Sequence, residues 1–166
     1  MNYEYFMDKA LDLAREAFTA GEFPVGCVIV YQDEILANGS RTGTVGKFPN
    51  EVDHAEMIAL RRLAAIERRI DPSKITIFST LEPCLMCFGA ILLTDIEKIV
   101  CAYEDVMGGG TGCDLEKLNP LYRNRHLLIV RNVLRTKSLE LLKAYFSDPG
   151  NAYWRGSHLA EYTLSQ

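Results

Sequence analysis

Apolar residues recur at helical spacing near the start of the chain and then form dense runs of the kind found in buried strands. Residues 3–20 carry an apolar residue every three or four positions, which predicts an amphipathic helix that ends at Gly21. Residues 23–31 contain a dense apolar run that is typical of a buried strand. The polar pair at 33–34 and the return over 35–38 predict that this strand is one arm of a hairpin.

Strand-like and helix-like segments alternate along the remaining chain. The patterns predict helices over residues 54–68, 84–93, 134–146 and 152–164, and strands over 75–79, 96–103 and 126–130. Because a strand, a helix and a strand follow one another directly between 75 and 103, these two strands should pair in parallel. The sequence therefore predicts an α/β fold, a three-layer α/β/α sandwich with a mixed sheet of about five strands.

The composition is typical of one domain. With 166 residues and 48% hydrophobic content, residues 1–166 can form a single domain with a sizeable core. No stretch is long and apolar enough for a signal peptide or a membrane span, so we expect a cytoplasmic protein with no membrane partner. An odd count of five cysteines argues against a disulfide framework and leaves reduced thiols available for a metal.

The charge balance argues mildly against a protein whose main task is to grip nucleic acid. The net charge is −4 and the isoelectric point is near 5.4, whereas affinity for a phosphate backbone rests largely on lysine and arginine. One arginine cluster is a candidate basic patch, although an exposed, solvated helix face explains it as well: Arg61, Arg62, Arg68 and Arg69.

Two separated segments carry residue types that bind zinc. They read His54-Ala55-Glu56 and Pro83-Cys84-Leu85-Met86-Cys87. One imidazole and two thiolates can hold three corners of a zinc tetrahedron and leave the fourth open for water. Glu56 can move protons beside that water without binding the metal. An H-x-E segment followed by P-C-x-x-C is the signature of zinc-dependent nucleobase deaminases.

Both segments are predicted to lie at helix N-termini. Asp53 is the predicted N-cap of the first helix, and Pro83 is predicted to open the second, with Cys84 and Cys87 on one side of its first turn. The positive end of a helix dipole and its free N–H groups favour thiolates. Two helix N-termini would thus converge on one cation.

A closed structural zinc site is the competing interpretation, as is a C-x-x-C pair that is redox-active or merely buried. A structural zinc normally has four protein ligands. A fourth ligand from the remaining cysteines would favour that interpretation, and these are Cys27, Cys101 and Cys113.

Three motifs carry a family resemblance. They are Glu22-Phe23-Pro24-Val25-Gly26, His54-Ala55-Glu56 and Thr80-Leu81-Glu82-Pro83-Cys84-Leu85-Met86-Cys87-Phe88-Gly89-Ala90. Over residues 14–146 the chain resembles the cytidine and deoxycytidylate deaminase superfamily, and within it the branch of tRNA adenosine deaminases and guanine deaminases. These motifs are specific to the superfamily and much less specific to a substrate.

The resemblance implies a cytidine deaminase-like fold and a hydrolytic deaminase with a single Zn²⁺ ion, held by His54, Cys84 and Cys87. Glu56 would take a proton from water and return protons to the ring nitrogen and the leaving ammonia. The residues expected to line a flat pocket for the base, unless core packing explains them, are Pro24, Val25 and Ala55.

Further candidate substrate contacts lie in two loops. Related enzymes contact the substrate through an asparagine after the second strand, whereas the stretch here reads Gly39-Ser40-Arg41-Thr42 and has none. Arg41 and Phe48, in the long loop that leads to the zinc motif, are candidate contacts. Glu104 and Asp105 follow a strand at the sheet edge where such folds bind ligands, although a solvated loop explains them too.

The end of the chain departs from the tRNA-editing relatives. Those relatives tend to end in an aromatic pair followed by a basic cluster, whereas Tyr145-Phe146 is followed here by Ser147-Asp148-Pro149-Gly150. The chain then carries ring-bearing residues that either pad the fold or cover the pocket as a lid: Tyr153, Trp154, His158 and Tyr162.

Three functions remain open. The acidic charge and the missing basic tail favour a deaminase of a small nucleobase or nucleoside. The local match over 80–90 favours a tRNA adenosine deaminase that makes inosine at the wobble position. A non-catalytic zinc-stabilised binding module is disfavoured by Glu56 and by the count of three ligands. The expected partners are a small base or nucleoside, or tRNA, and a second copy of the chain in a homodimer. Its interface would involve residues 88–93, unless they are buried in their own core.

Overall fold

The predicted alternation of helices and strands is present in the computed structural model, which describes residues 1–166. The helices are α1 (Tyr3–Thr19), α2 (Ala55–Ala64), α3 (Leu85–Leu93), α4 (Pro120–Arg123), α5 (Arg135–Ser147) and α6 (His158–Ser165). The strands are β1 (Gly26–Tyr31), β2 (Glu34–Ser40), β3 (Ile75–Leu81), β4 (Lys98–Tyr103) and β5 (Leu128–Val130). None of the helices is both long and apolar enough to cross a membrane.

The five strands form one mixed sheet in the order β2-β1-β3-β4-β5. β1 pairs antiparallel with β2 as a hairpin and antiparallel with β3. β3 pairs in parallel with β4, and β4 in parallel with β5. The predictions of an α/β fold, a hairpin and a parallel β3-α3-β4 unit are therefore confirmed. The order places β3 at the centre of the sheet, so the segment that follows it starts from the most buried strand.

Each face of the sheet packs against helices because alternate strand residues point to opposite sides. One face meets α1 and shares a core with Phe6, Met7, Leu11, Val28, Phe78 and Val100. The other face meets α2 and α3 through a larger core that includes Ile29, Ala59, Ile77, Phe88, Ile91 and Ile99. This second face is the one that carries the candidate chemistry, because both zinc motifs lie at the starts of α2 and α3.

Two helix boundaries differ from the predictions. α2 ends at Ala64 and not near residue 68, because the chain tightens into i+3 turn bonds from the Ala65 and Ile66 amides. The last helix begins only at His158, with the Ser157 side chain as its N-cap, and the segment before it is a series of turns. The aromatic residues at 153–154 therefore lie in an irregular segment and not on a helix.

The apolar segment 88–93 is mostly buried in the chain's own core. Phe88, Ile91 and Leu92 are buried, whereas Leu93 and the preceding Leu85 are exposed. Most of the apolar surface of this segment is thus buried within one chain, and the segment does not by itself require a partner. The homodimer stays a prediction, and light scattering of the purified protein would test it.

Gly39 allows α2 to pack closely on β2. A Cβ atom at this position would overlap the backbone oxygen of Ala55 and lie 2.9 Å from the backbone nitrogen of Ala59. Both neighbours are helix backbone and cannot rotate away. Gly39→Ala is therefore expected to lower the free energy of unfolding by about 1–3 kcal/mol, as overpacking typically does, which urea unfolding would measure.

Gly89 provides the matched control, because a Cβ built there meets nothing within 4 Å. Gly89 lies inside α3, where alanine is the better helix former. Gly89→Ala should leave stability unchanged or raise it by up to about 1 kcal/mol. Equal losses in the two variants would contradict the close approach at Gly39.

Candidate zinc centre and substrate pocket

Two of the three candidate zinc ligands are the N-cap residues of their helices. His54 caps α2 and Cys84 caps α3, and neither side chain bonds to the backbone of its own helix. The N-cap of α2 is thus His54 and not Asp53, whose carboxylate instead pairs with Arg61 at 2.5 Å. Cys87 lies in the first turn of α3. The prediction that two helix N-termini converge on one point is confirmed, and their dipoles favour the thiolate form of both cysteines.

The three ligand atoms already have the spacing of a tetrahedral zinc site. His54 Nδ1 lies 3.5 Å from Cys84 Sγ and 3.5 Å from Cys87 Sγ, and the two sulfurs are 3.7 Å apart. Usual zinc bond lengths at tetrahedral angles give about 3.6 Å between nitrogen and sulfur and about 3.8 Å between sulfurs. Cys27, Cys101 and Cys113 are not part of the group. The donor set fits zinc with three protein ligands, as in catalytic sites.

The contact between the two cysteine sulfurs shifts their pKa values in opposite directions. A hydrogen bond between the sulfurs lowers the pKa of the Cys84 thiol to about 4. The same bond, together with burial, raises the pKa of the Cys87 thiol well above its usual range. A bound divalent cation would favour the thiolate form of both cysteines, because metal-bound thiols are deprotonated.

Glu56 lies beside the three ligands, in the second position of α2, and is buried. Its Oε1 accepts a hydrogen bond of 2.8 Å from the Ser79 hydroxyl, and its Oε2 lies 3.5 Å from Cys87 Sγ. No lysine or arginine pairs with it. Burial raises the pKa of this carboxyl, and the Ser79 hydrogen bond only partly offsets the effect. A carboxyl with a raised pKa can both take and return a proton near neutral pH.

A cavity opens beside this cluster, and most of the predicted site residues line it. The lining comprises Phe23, Val25, Arg41, His54, Ala55, Glu56, Leu81, Glu82, Cys84, Asp105, Tyr153 and Trp154. Asp105 sits in the wall because its Oδ1 accepts hydrogen bonds from the Met107 and Gly108 amides. The glycine-rich loop there is tightly turned, and its Gly110 amide donates to the Pro83 carbonyl at 2.8 Å. The loop thus supports the start of α3.

Three predicted contacts lie outside the cavity lining. Pro24 is buried, but its neighbours Phe23 and Val25 form the wall. Phe48 is 85% exposed. Glu104 points to the C-terminal part of the chain, where it accepts hydrogen bonds of 2.8 Å from both Arg135 Nε and the Tyr162 hydroxyl. The structure therefore does not bring Phe48 or Glu104 to the site.

The Glu104–Arg135 pair makes stability depend on pH. Hydrogen bonding from Arg135 lowers the pKa of Glu104 to about 2, below the ordinary value of about 4.3. The stabilisation is therefore fully present above the ordinary pKa and is lost as the pH falls through the folded pKa. Glu104→Gln should lower the free energy of unfolding at neutral pH, with a gap from the parent chain that closes on acidification. Urea unfolding over this range would measure it.

Glu97→Gln is the control for this prediction, because Glu97 is exposed and belongs to no ion pair. It should leave stability nearly unchanged at every pH. A Glu104→Gln deficit that stays constant down to the acid end of the series would contradict the role assigned to the Glu104 charge.

Several cavity residues were missed by sequence reasoning. Ser79 faces Glu56 from a strand that reads as apolar, and its position opposite Cys27 in the sheet becomes evident only from the pairing. The feature that indicates Ser79 is a hydroxyl side chain in a buried central strand, on the face that packs against α2. Phe23, Leu81 and Glu82 lie within the family motifs, and the sequence alone does not indicate that they line the cavity. Glu82 accepts hydrogen bonds from Thr111 and from the Asp105 amide.

Known proteins share both the motifs and the fold. Residues 1–103 match the family model of the cytidine and deoxycytidylate deaminase zinc-binding region. The chain is 30% identical to the tRNA-specific adenosine deaminase of Bacillus subtilis over 145 residues, which cover 87% of this chain and 89% of that protein.

Two solved structures extend the comparison to the fold. One comes from work on A-to-I editing by tRNA:A34 deaminases; it has a TM-score of 0.68 and 27% identity, and the match covers 83% of this chain and 99% of that one. A guanine deaminase of Nitrosomonas europaea, at 20% identity, shares the fold with a TM-score of 0.66 over 86% of this chain and 83% of its own. The motifs, the ligand geometry and these similarities together show that the chain belongs to the cytidine and deoxycytidylate deaminase zinc-binding family.

Proposed function

We propose that this member of the deaminase family acts on a small nucleobase or nucleoside, with Glu56 as its catalytic residue and His54, Cys84 and Cys87 as its zinc ligands. The observation that carries the proposal is the position of Glu56. Its carboxyl is buried, lies against the ligand cluster and lines the cavity. A structural zinc site has no need of such a group, because its four ligands already enclose the metal.

The zinc ligands, Glu56 and Ser79 have separate roles in the proposed reaction. Zinc bound by the three ligands would acidify a water molecule. Glu56 accepts a proton from this water, and the oxygen adds to the ring carbon that bears the exocyclic amine. Glu56 delivers this proton to the ring nitrogen, then takes the proton of the newly added hydroxyl group and passes it to the amine. The carbon–nitrogen bond breaks, ammonia leaves and a carbonyl remains. Ser79 holds the Glu56 carboxyl in place throughout.

The charges around the cavity favour a small substrate over a nucleic acid. The lining contains one arginine and three carboxyl groups, those of Glu56, Glu82 and Asp105. Binding of a phosphate backbone needs an excess of cations. In the arginine cluster considered above, Arg61 pairs with Asp53 and Arg68 with Glu34. These pairs reduce the positive charge available to phosphates.

The second candidate is a tRNA adenosine deaminase, and the similarity to the Bacillus subtilis enzyme favours it. That relative acts on tRNA. Tyr153 and Trp154 line the cavity here, and these bulky rings favour the small substrate because they leave little room for a nucleotide that is still attached to its chain. We further propose that residues 1–166 act as one domain, since Tyr153 and Trp154 in the C-terminal segment (residues 148–166) form part of the cavity wall.

A substrate panel tests the choice between the two. The zinc-loaded protein would be incubated with cytosine, guanine, adenine, their nucleosides and a tRNA anticodon stem-loop, with ammonia and inosine as readouts. We expect ammonia from at least one free base or nucleoside. The kcat/KM for the stem-loop should be at least about tenfold lower than for that substrate. Preferential formation of inosine in the stem-loop would overturn the proposal in favour of the tRNA enzyme. Silence of the whole panel would overturn both.

A further inference from the structure

Arg41 is a buried arginine that connects distant parts of the chain. Its side chain is 3% exposed. Nη1 donates to the backbone oxygens of Thr42 and Asp53, at 2.5 and 3.1 Å. Nη2 lies 3.3 Å from Glu51 Oε2 and 3.3 Å from the Tyr153 hydroxyl. Arg41 therefore links Asp53, the residue just before His54, to Tyr153, which lies 112 positions from Arg41 in sequence.

Tyr153, Arg41 and Glu51 each contact the other two. The Tyr153 hydroxyl donates to Glu51 Oε2 at 2.7 Å, and the Arg41 guanidinium lies 5.6 Å from the centre of the Tyr153 ring. Trp154 stacks on the Tyr153 ring at 5.0 Å with 14° between the planes, and Phe23 packs against both. The orientation of the two cavity-lining rings thus depends on the hydrogen bonds that Tyr153 makes.

The cavity under these rings is small. Its volume is about 30 Å³, whereas a cavity that binds benzene measures about 150 Å³. A base therefore requires Tyr153, Trp154 or both to swing outward, and a base that carries a ribose requires a larger opening. Residues 148–157, which carry both rings, form turns and irregular structure between α5 and α6, so the rings are held by side-chain contacts and not by a regular element.

We propose that Arg41 is a positioning residue that holds Tyr153 and Trp154 over the zinc cavity and thereby restricts the substrate to a free base. The inference rests on the proposed function and narrows its substrate class. Arg41 makes no hydrogen bond to His54, Glu56, Cys84 or Cys87, so it acts through the rings and not on the reacting atoms. Loss of these partners would leave a buried charge unpaired, which is costly. This cost favours the arrangement in which Tyr153 and Trp154 stay against the cavity.

The first test uses the fluorescence of Trp154, which is the sole tryptophan of the chain. Zinc-loaded Arg41→Met and Tyr153→Phe are each compared with the parent protein by acrylamide quenching. Both variants should raise the quenching constant by about twofold or more. Tyr153→Phe keeps the ring and loses only the hydroxyl, so it serves where Arg41→Met folds poorly. Arg62→Met is the control, because Arg62 is exposed and bonds only to Asn38.

The second test measures selectivity. Kinetics would compare cytosine with cytidine and guanine with guanosine. In both variants the preference in kcat/KM for the free base should fall about tenfold. The change should appear mainly as a lower KM for the nucleoside, because the rings open more easily, with nearly unchanged kcat and zinc content. The effects of the two substitutions should also be non-additive in the double variant, because both break the same contact.

Two outcomes would overturn the inference. One is a quenching constant and a base preference that both stay at the parent values in Arg41→Met and Tyr153→Phe. The other is an equal change in Arg62→Met. A parent protein that turns over neither bases nor nucleosides would refute the proposed function instead, and the quenching comparison would still decide whether Arg41 holds Trp154 in place.

Discussion

Replacement of Glu56 by glutamine is expected to abolish measurable turnover while zinc content stays close to that of the parent chain. Loss of a general acid and base typically costs a factor of about 10²–10⁴, and Glu56 performs both transfers in the proposed reaction. The amide has nearly the same shape and can still accept the Ser79 hydrogen bond. It cannot carry the proton. Ammonia release and metal analysis of the same preparation would measure the two effects.

Ser79→Ala is the companion variant, because it removes the hydrogen bond of 2.8 Å to Glu56 and leaves the carboxyl in place. Its loss of kcat should be clearly smaller than that of Glu56→Gln. A Glu56→Gln protein that loses its zinc would contradict the assignment, because it would mean that the carboxylate holds the metal. One that retains turnover would show that another group moves the protons.

Replacement of His54 by alanine is expected to remove the metal and stability together. The two cysteine sulfurs would then be the only strong donors left in the cluster. Removal of even a partner of a metal ligand costs about 10–100-fold in metal affinity, so the loss of a ligand should exceed this. Because a bound metal stabilises the folded state in proportion to the logarithm of its affinity, the melting temperature should fall as well.

His126→Ala is the matched control, since His126 is exposed and lies outside the ligand cluster. It should keep zinc and melting temperature at the parent values. A strong chelator should lower the melting temperature of the parent protein towards that of His54→Ala and should have little effect on the variant itself. Stoichiometric zinc in His54→Ala would exclude the histidine as a ligand.

The metal centre could be predicted from sequence because its parts are local. Cys84 and Cys87 lie within one helical turn, and His54 and Glu56 within another, so the spacing alone sets their relative placement. Only the meeting of the two turns is a long-range event. The order of strands and helices implied it, because β3 leads directly into Cys84.

The substrate side of the cavity could not be predicted in the same way. The sequence predicts Arg41 as a candidate contact, but its long-range partners are residues 51, 53 and 153. Nothing in the local pattern around Arg41 indicates Tyr153. Phe48 and Glu104 show the converse, because chain position suggested a contact where the side chain points to solvent or to Arg135. Contacts of this kind depend on packing between elements far apart in sequence.

The placement of Tyr153 and Trp154 has a consequence for the order in which the molecule matures during synthesis. All four residues assigned to zinc and proton transfer precede residue 88, whereas the two covering rings emerge from the ribosome near the end of the chain. A nascent polypeptide thus contains every residue assigned to the ion well before it contains the two rings that limit which compounds reach that ion.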